Sequence, residues 1–340
     1  MVTVIFFLFN VLPGDPAQMM LGQNEDSEQL AVVKAKYGFD QPLTTQYLYY
    51  LNDLSPVSFH SENKKDYTFL KEHKYSATKL FSLNGITVVL KLPYLRESFT
   101  KQGKKVSQVL AETLPNTFVL AIAAIVIAML LGVVLGVISA LYKDTFLDKI
   151  IQVLSTLGMS VPSFFSAILF AWLFGFVLHK YTNLEMTGSL YELDDFGETM
   201  HIRWKNLILP AIVLGIRPLA VVIQLMRNSL LEVMNQDYIR TARAKGLSEF
   251  QVIKNHAVKN ALNPVVTAIS GWFASMLAGA VFVEYIFGWN GLGKEIVNAL
   301  NTLDLPVIMG AVLVIATLFV MINIFVDLIY SWLDPKVTLE

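Results

Sequence analysis

Side chains that commonly carry catalytic or metal chemistry are few and scattered in this sequence. It contains five histidines and no cysteine, which excludes thiolate metal sites and a disulfide framework. No HExxH or other paired-histidine spacing occurs, and no Walker A glycine loop is present. We therefore predict no catalytic residue, no metal site and no cofactor on this chain.

The stretch DYIRTARAKGL, from Asp237 to Leu247, places charged residues between two long apolar segments. Lys245 lies in what would be the last turn of a helix, where a cation suits the helix dipole. Gly246 follows as a natural terminator, because glycine adopts the left-handed conformation without a Cβ clash. The stretch therefore predicts a helix that ends at a glycine.

A second helix is predicted directly after Gly246. Ser248 can cap its first turn, and Gln251, three residues later, completes a capping box. Leu247 and Val252 are placed to form the hydrophobic staple that accompanies such caps. We therefore expect residues 228–263 to form a rigid elbow, defined as two helices joined at a glycine. Its predicted apolar faces are Leu231, Met234, Tyr238 and Ala242 in the first helix and Phe250, Ile253, Ala257 and Ala261 in the second.

The polar outer face of the elbow allows two interpretations. A rigid element exposed on one side of a membrane can dock on a partner protein. An amphipathic helix with a basic face can instead lie on anionic lipid. The residue pattern alone leaves both open.

Arg217 is the one charge inside an otherwise apolar stretch, about ten residues from its start. A charge at that depth is costly and usually faces a cavity or a partner. Arg217 either lines a translocation path or, with Pro218, marks a kink or a span boundary. Glu284 and Asp304 stand at span ends, where we expect them to be interfacial.

The elements that carry these residues are predicted to cross a membrane. The 340 residues are 54% hydrophobic and 16% charged, with a mean hydropathy of +0.53. Soluble domains carry about 25% charged residues, so the chain is predicted to be an all-α polytopic membrane protein. A net charge of −1 argues against a nucleic-acid partner. The five predicted spans are residues 118–142, 150–178, 207–226, 264–284 and 306–330.

Residues 1–12 form a sixth, partial span. A helix of this length is too short for a bilayer of about 30 Å, so we expect either a truncated first span or a short helix that tilts into the bundle. Small residues spaced by four in the 118–142 span predict close helix packing, within the chain or against a second subunit. They are Ala128, Gly132, Gly136 and Ala140.

Residues 13–112 are polar and predict a small folded region outside the bilayer. Asn84-Gly85 in this region is typical of a tight hairpin turn. Basic residues concentrate in the 228–263 loop, so the positive-inside rule places that loop and the 331–340 tail in the cytoplasm. Alternation of the spans then places residues 13–112 on the outer side.

Several motifs in order resemble one family, the binding-protein-dependent ABC importer permeases of the dipeptide, oligopeptide and nickel class, in their first permease subunit. DYIRTARAKGL is similar to the cytoplasmic EAA loop of that class, with Arg240, Thr241 and Ala242 at the E-A-A positions. The other motifs are LPGDPA, YGFDQPLTTQY, ETLPNTFVLA, VEYIFGWNGLG, DLP and NIFVDLIYSWLDPK. Two features depart from the family pattern, the short first span and extra sequence around residues 55–108.

The resemblance implies a type I importer permease fold in the bacterial inner membrane and a coupling role for the elbow. It implies import of di- or oligopeptides, or alternatively of nickel or another small solute, delivered by an extracytoplasmic binding protein. It also implies a second permease subunit and two cytoplasmic ATPases that bind ATP and Mg. The residues that the resemblance places in the ATPase contact are Asp237, Tyr238, Arg240, Thr241, Ala242, Arg243, Ala244, Lys245 and Gly246.

Two other classes fit the residues less well. An ion-driven secondary transporter is expected to place acidic residues at mid-membrane, and the predicted spans hold none near their centres. An intramembrane enzyme needs paired catalytic residues, and no such pairing occurs in the spans.

Overall fold

The computed structural model describes residues 1–10, 17–18, 27–63, 66–70, 74–194 and 197–333. The PGDP stretch within the LPGDPA motif, residues 13–16, and residues 334–340 of the predicted tail lie outside the described residues. The chain forms two compact units. The first unit contains residues 1–112 and 296–314, and the second contains residues 113–295 and 315–340.

The N-terminal part of the first unit consists of helices followed along the chain by a small sheet. The helices are α1 (Val2–Asn10), α2 (Ser27–Tyr37) and α3 (Leu43–Leu54). The strands are β1 (Val57–Ser61), β2 (Ala77–Leu83) and β3 (Ile86–Lys91), in the antiparallel order β1-β3-β2. The predicted hairpin turn is confirmed, because Asn84 and Gly85 join β2 to β3 with φ of +50° and +78°.

Aromatic and charged side chains hold the first unit together. Phe6 of α1 packs on Tyr47 and Tyr50 of α3. Asp53 is buried, accepts a hydrogen bond of 2.9 Å from the Tyr75 hydroxyl, and pairs with Arg96 Nε at 2.9 Å. The described part of this region is thus a folded insert with its own polar core.

The remaining helices carry the membrane-spanning part of the chain. They are α4 (Val106–Leu141), α5 (Phe146–Ser160), α6 (Ser163–Phe170), α7 (His179–Thr182), α8 (Lys205–Val233), α9 (Asp237–Ala244), α10 (Glu249–Val252), α11 (Val258–Ala261), α12 (Asn263–Gly279), α13 (Val281–Phe287), α14 (Leu292–Asn301) and α15 (Leu305–Leu333). Two π-helical segments, Ala171–Val177 and Ile253–Ala257, continue α6 and α10. A short hairpin pairs β4 (Tyr191–Leu193) with β5 (Met200–Ile202).

Three helices of the described chain are long and apolar enough to cross a membrane unaided, namely α4, α8 and α15. They correspond to the predicted spans 118–142, 207–226 and 306–330. The other two predicted spans are bent, because α5 meets the α6 segment at 109° and α12 meets α13 at 59°. Described residues thus supply five spans if each bent pair crosses once.

The predicted span 150–178 is therefore a bent pair of helices rather than a single helix. Val161 adopts an extended conformation with φ −76° and ψ 132°, directly before Pro162. Proline disfavours the helical conformation in the residue before it and supplies no N–H. The high hydropathy of the segment concealed this break.

Close contact between α4 and α8 confirms the predicted packing role of the small residues. A Cβ added at Gly132 would lie 2.5 Å from Val222 Cγ1, and one at Gly136 would lie 2.7 Å from Met226 Cβ. The small-residue face of α4 thus packs within the chain, against α8.

Candidate functional site

The elbow is built from three short helices after the end of α8. α8 ends at Val233, and a turn through Asn235 and Gln236 precedes α9. The prediction of one continuous first helix from Leu231 was wrong at this turn. The second arm continues from α10 through the π-helical segment into α11.

The joint between the arms has the predicted glycine geometry. Gly246 has φ of +82°, and its N–H donates to the Arg243 carbonyl at 2.9 Å. The Leu247 N–H donates to the Ala242 carbonyl at 3.4 Å, which satisfies another carbonyl at the helix end. The α9 arm therefore ends in a defined reversal.

The predicted capping box at the start of the second arm is confirmed. Ser248 Oγ accepts from the Gln251 N–H at 3.4 Å, and Gln251 Oε1 accepts from the Ser248 N–H at 3.1 Å. Arg243 also spans the joint, because its Nε and Nη2 lie 2.8 and 3.2 Å from the two carboxylate oxygens of Glu249. Caps and ion pair together fix the angle between the arms.

The buried side of the elbow agrees with the predicted apolar faces only in part. Ala242, Ala257 and Ala261 are buried and Leu231 and Met234 pack beside them, whereas Tyr238 and Phe250 are 42% and 72% exposed. Ile239 replaces Tyr238 on the buried side because the helix restarts at Asp237, which changes its phase relative to α8. Tyr238 accepts a hydrogen bond from Asn260 Nδ2 at 3.0 Å instead of packing inward.

One apolar cluster holds the elbow on the spans, and we call it the elbow floor. It is formed by Ala140, Val222, Met226, Leu230, Ile239, Ala242, Val252, Ala257, Ala261, Val265 and Ile269. The cluster combines residues of α4, α8 and α12 with residues of both arms. The elbow is thus packed on the membrane helices along its length.

Among the residues that the resemblance places in the ATPase contact, all except Ala242 are exposed. Lys245 and Arg240 contribute positive charge to this face, and Asp237 pairs with Arg240 at 3.4 Å. Eight of the nine predicted docking residues are thus exposed on α9 and on the joint that follows it.

Arg217 lies at a small cavity of about 80 Å³ between helices of the second unit. The polar groups lining this cavity with Arg217 are Ser163, Ser166 and Ser275. Val161 and Ser163, on either side of the break between α5 and α6, also line it. A guanidinium with nearby hydroxyl groups offers several donors to a carboxylate.

A partly buried ion pair near the elbow was not predicted from the sequence. Arg227 Nε lies 2.9 Å from Asp148 Oδ1, and Arg227 Nη2 lies 2.7 Å from Oδ2. Asp148 also accepts from Ser139 Oγ and from the Asp144 N–H. Both charges stand beside predicted spans, but no local pattern indicates that residues 79 positions apart pair with each other.

Glu284 and Asp304, which we expect to stand at span ends, are buried within the protein, with exposed fractions of 0% and 1%. Glu284 accepts from the Gly293 N–H at 2.6 Å and caps α14, while its Oε1 has no hydrogen-bond partner among the residues that the structure describes. Glycine at position 291 is required there, because a Cβ would lie 2.4 Å from the Glu284 carboxylate.

Asp304 joins two distant parts of the first unit. Its carboxylate accepts from Ser98 Oγ, from the Phe99 and Thr100 N–H groups at 3.1 and 3.2 Å, and from Thr100 Oγ1 at 2.8 Å. The acidic residue thus secures the 98–100 turn to the start of α15.

Comparisons with known proteins agree with this architecture. A family described as binding-protein-dependent transport system inner membrane component matches residues 132–339, and its N-terminal companion matches residues 1–64. The chain is 33% identical over 351 residues to the dipeptide transport system permease protein DppB of Alkalihalophilus pseudofirmus, covering 99% of this chain and 94% of that protein. It is also 33% identical over 338 residues to DppB of Bacillus subtilis, covering 99% and 92%.

A solved structure of the MetNI methionine ABC transporter in inward facing conformations shares the fold. The TM-score is 0.51 at 14% identity, and the match covers 67% of this chain and 97% of that one. The family match, the full-length relatives and the bundle of apolar helices lead to one assignment. The chain belongs to the binding-protein-dependent transport system inner membrane components, as a multi-pass permease subunit of an ABC importer.

Proposed function

We propose that this permease carries di- or oligopeptides inward, driven by ATP hydrolysis on two partner ATPases that hold ATP and Mg. A second permease subunit completes the pore, and an extracytoplasmic binding protein delivers the substrate. Relatives 33% identical over their length are named dipeptide permeases, which supports the substrate class. The observation that carries the proposal is the elbow, a capped and packed element with an exposed basic face.

The elbow docks on an ATPase through its exposed residues from Asp237 to Gly246. A docking lever must be stiff, because a flexible one would absorb the motion of its partner. The left-handed joint at Gly246, the capping box at Ser248 and the Arg243–Glu249 pair supply that stiffness. If ATP binding favours one permease state, substrate delivery must bias the ATPases by an equal coupling free energy.

Arg217 binds the peptide carboxylate on its way through the membrane. Its cavity supplies hydroxyl donors from Ser163, Ser166 and Ser275 beside the guanidinium. At about 80 Å³ the cavity admits a terminal group rather than a whole peptide. Arg217→Leu is expected to lower the rate of dipeptide uptake, whereas an unaltered rate and substrate range would remove Arg217 from the path.

The decisive experiment uses the complex purified in mild detergent from its native membrane and reconstituted into vesicles. Recovery of ATPase chains and a second permease, with ATP-dependent uptake of a labelled dipeptide, is the expected result. Uptake of nickel instead of the dipeptide would replace the proposed substrate class. Uptake driven by an ion gradient without ATP would overturn the proposed mechanism.

Gly246→Pro tests the elbow in the same vesicles. Proline removes the N–H bonded to the Arg243 carbonyl and cannot adopt φ of +82°. We expect ATP hydrolysis to continue without uptake. Gly103→Pro is the matched control, since Gly103 has φ of +71° and open space around it in the first unit. Coupled uptake retained in Gly246→Pro would reject the docking assignment.

A further inference from the structure

We propose that Asp148 and Arg227 form a positioning clasp that makes the elbow and the corner between α4 and α5 move as one body. The proposal rests on the proposed function, since it says how movement of the elbow reaches the rest of the permease. The clasp comprises these two side chains and the two further donors to Asp148, Ser139 Oγ and the Asp144 N–H.

The clasp is a bidentate ion pair, which constrains the orientation of its two side chains as well as their distance. Two parallel hydrogen bonds of 2.9 and 2.7 Å join Arg227 to the Asp148 carboxylate. The Asp148 side chain is 4% exposed and that of Arg227 17%, so solvent screens the pair little. Bidentate arginine–carboxylate pairs fix orientation as well as distance. The pair thus resists sliding of α5 along α8.

The clasp lies beside the elbow floor. Arg227 stands on α8 between Met226 and Leu230, both of which belong to that cluster. Ser139 precedes Ala140, the member of the cluster contributed by α4. A force on the elbow therefore reaches α8 through the floor, and it reaches α5 through the clasp together with the packing of α5 on α8.

The C-terminal end of α5 borders the cavity at Arg217. α5 leads to the break at Val161, where the cavity at Arg217 is lined by residues of both arms of the bent pair. A rigid-body shift of α5 would change the shape of that cavity. The clasp therefore connects the exposed elbow with the polar cavity in the spans.

Apolar packing already holds α5 against α8. Ile151 and Leu154 of α5 line a pocket with Leu219 and Ile223 of α8, and a Cβ added at Gly158 would lie 2.9 Å from Ile216 Cγ2. The property that the ion pair adds to this packing is a fixed register of α5 along α8, because two parallel hydrogen bonds fix orientation as well as distance.

The test measures dipeptide uptake per ATP hydrolysed by the complete complex in vesicles. Asp148→Asn and Arg227→Gln are each expected to lower this ratio by about tenfold, the scale of a typical coupling free energy. Complex recovery and basal ATP hydrolysis are expected to persist. The exchange Asp148→Arg with Arg227→Asp should restore most of the ratio. Asp40→Asn, the same chemical change at an exposed side chain outside the clasp, is the control.

A covalent cross-link provides a second, independent test, because the chain has no cysteine of its own. Asp148→Cys with Arg227→Cys would lower the ratio, and a short, reducible bifunctional thiol reagent should restore it. Reduction of the reagent should abolish the recovery. Recovery by a link without charge would show that attachment, and not electrostatics elsewhere, is the required property.

Three results would overturn the clasp. They are an unchanged ratio in both single variants, a loss that neither exchange nor cross-linking restores, and failure of all clasp variants to assemble. Gly246→Pro separates this outcome from failure of the proposed function. If Gly246→Pro uncouples uptake while the clasp variants do not, the elbow keeps its role and the clasp is rejected. If neither change uncouples uptake, the docking function itself is wrong.

Discussion

Individual glycines of this permease have different roles, and the space at the missing Cβ distinguishes them. A Cβ added at Gly136 would lie 2.7 Å from Met226 Cβ and 2.9 Å from the Ile223 carbonyl oxygen. Gly271, on α12, has no atom within 4 Å of that position. Gly246 has open space as well, but its positive φ makes it special.

Gly136→Ala is expected to destabilise the protein by roughly 1–3 kcal/mol, the usual cost of overpacking a close helix contact. Gly271→Ala is the matched control and should be neutral or slightly stabilising, because alanine has the higher helix propensity. Thermal unfolding in detergent, followed by tryptophan fluorescence, measures both. Equal unfolding temperatures for the two variants would contradict the close α4–α8 contact.

Arg243 offers a second test at single residues. Arg243→Glu places two carboxylates across the Gly246 joint and should uncouple ATP hydrolysis from uptake. The exchange Arg243→Glu with Glu249→Arg rebuilds the pair with the same net charge and should recover most of the uptake. Lack of recovery, measured in the same vesicles, would mean that Arg243 acts by touching the partner rather than by bracing the joint.

At the scale of elements, the sequence predicted local features better than distant ones. The terminator at Gly246, the cap at Ser248 and the turn at Asn84-Gly85 depend on neighbouring residues, and the structure confirms each. The break at Val161 was missed because hydropathy averages over a window and ignores one proline. The pair between Asp148 and Arg227 was missed because its partners meet only through tertiary packing.

The same limit explains the elbow faces. Helical periodicity predicts which residues share a face only if the helix start is known, and the turn after Val233 moved that start. The cavity at Arg217 likewise depends on the angle between α5 and α6, which composition does not encode. The docking role of the exposed residues stays a prediction.

The sheet of the first unit gives a prediction that depends on pH. His60 on β1 is 1% exposed, and its ring lies between the Thr68 carbonyl and Ser58 Oγ, each at 2.9 Å. Burial, with a smaller contribution from Lys91, lowers the pKa of His60. The unfolded chain therefore takes up a proton first as pH falls.

Stability from neutral His60 is thus full above the ordinary histidine pKa of about 6.5. It declines as pH drops below that value toward the lower pKa of the folded state. Limited proteolysis of the first unit between pH 8 and pH 5 should show faster cleavage at the acid end. His60→Gln should flatten this dependence, while the exposed control His201→Gln should leave it unchanged. A steep acid dependence that persists in His60→Gln would contradict the assignment.

At the scale of the whole molecule, the chain combines a folded insert with a bundle of apolar helices. The distribution of basic residues predicts that the insert faces outward and the elbow faces the cytoplasm. The absence of cysteine makes this orientation directly measurable, because a single introduced thiol is unique.

Lys79→Cys on β2 and Lys259→Cys on α11 provide the two reporters, both at exposed positions. A membrane-impermeant thiol reagent should label Lys79→Cys in intact spheroplasts and Lys259→Cys only after permeabilisation. The unmodified chain, which has no thiol, is the background control. The reverse labelling pattern would invert the predicted topology.

The hydrogen bonds of Asp304 also determine when the 98–100 turn can complete its folding during synthesis. Ser98 and Asp304 are separated by 206 positions in the chain, yet both belong to the first unit. At about 5–20 residues per second, a ribosome needs on the order of 10–40 s to travel that distance. The insert therefore emerges early but waits for nearly the last helix before its 98–100 turn gains its acceptor. During that interval the 98–100 turn lacks the acceptor that secures it, so we expect it to be more accessible to proteases than in the finished permease.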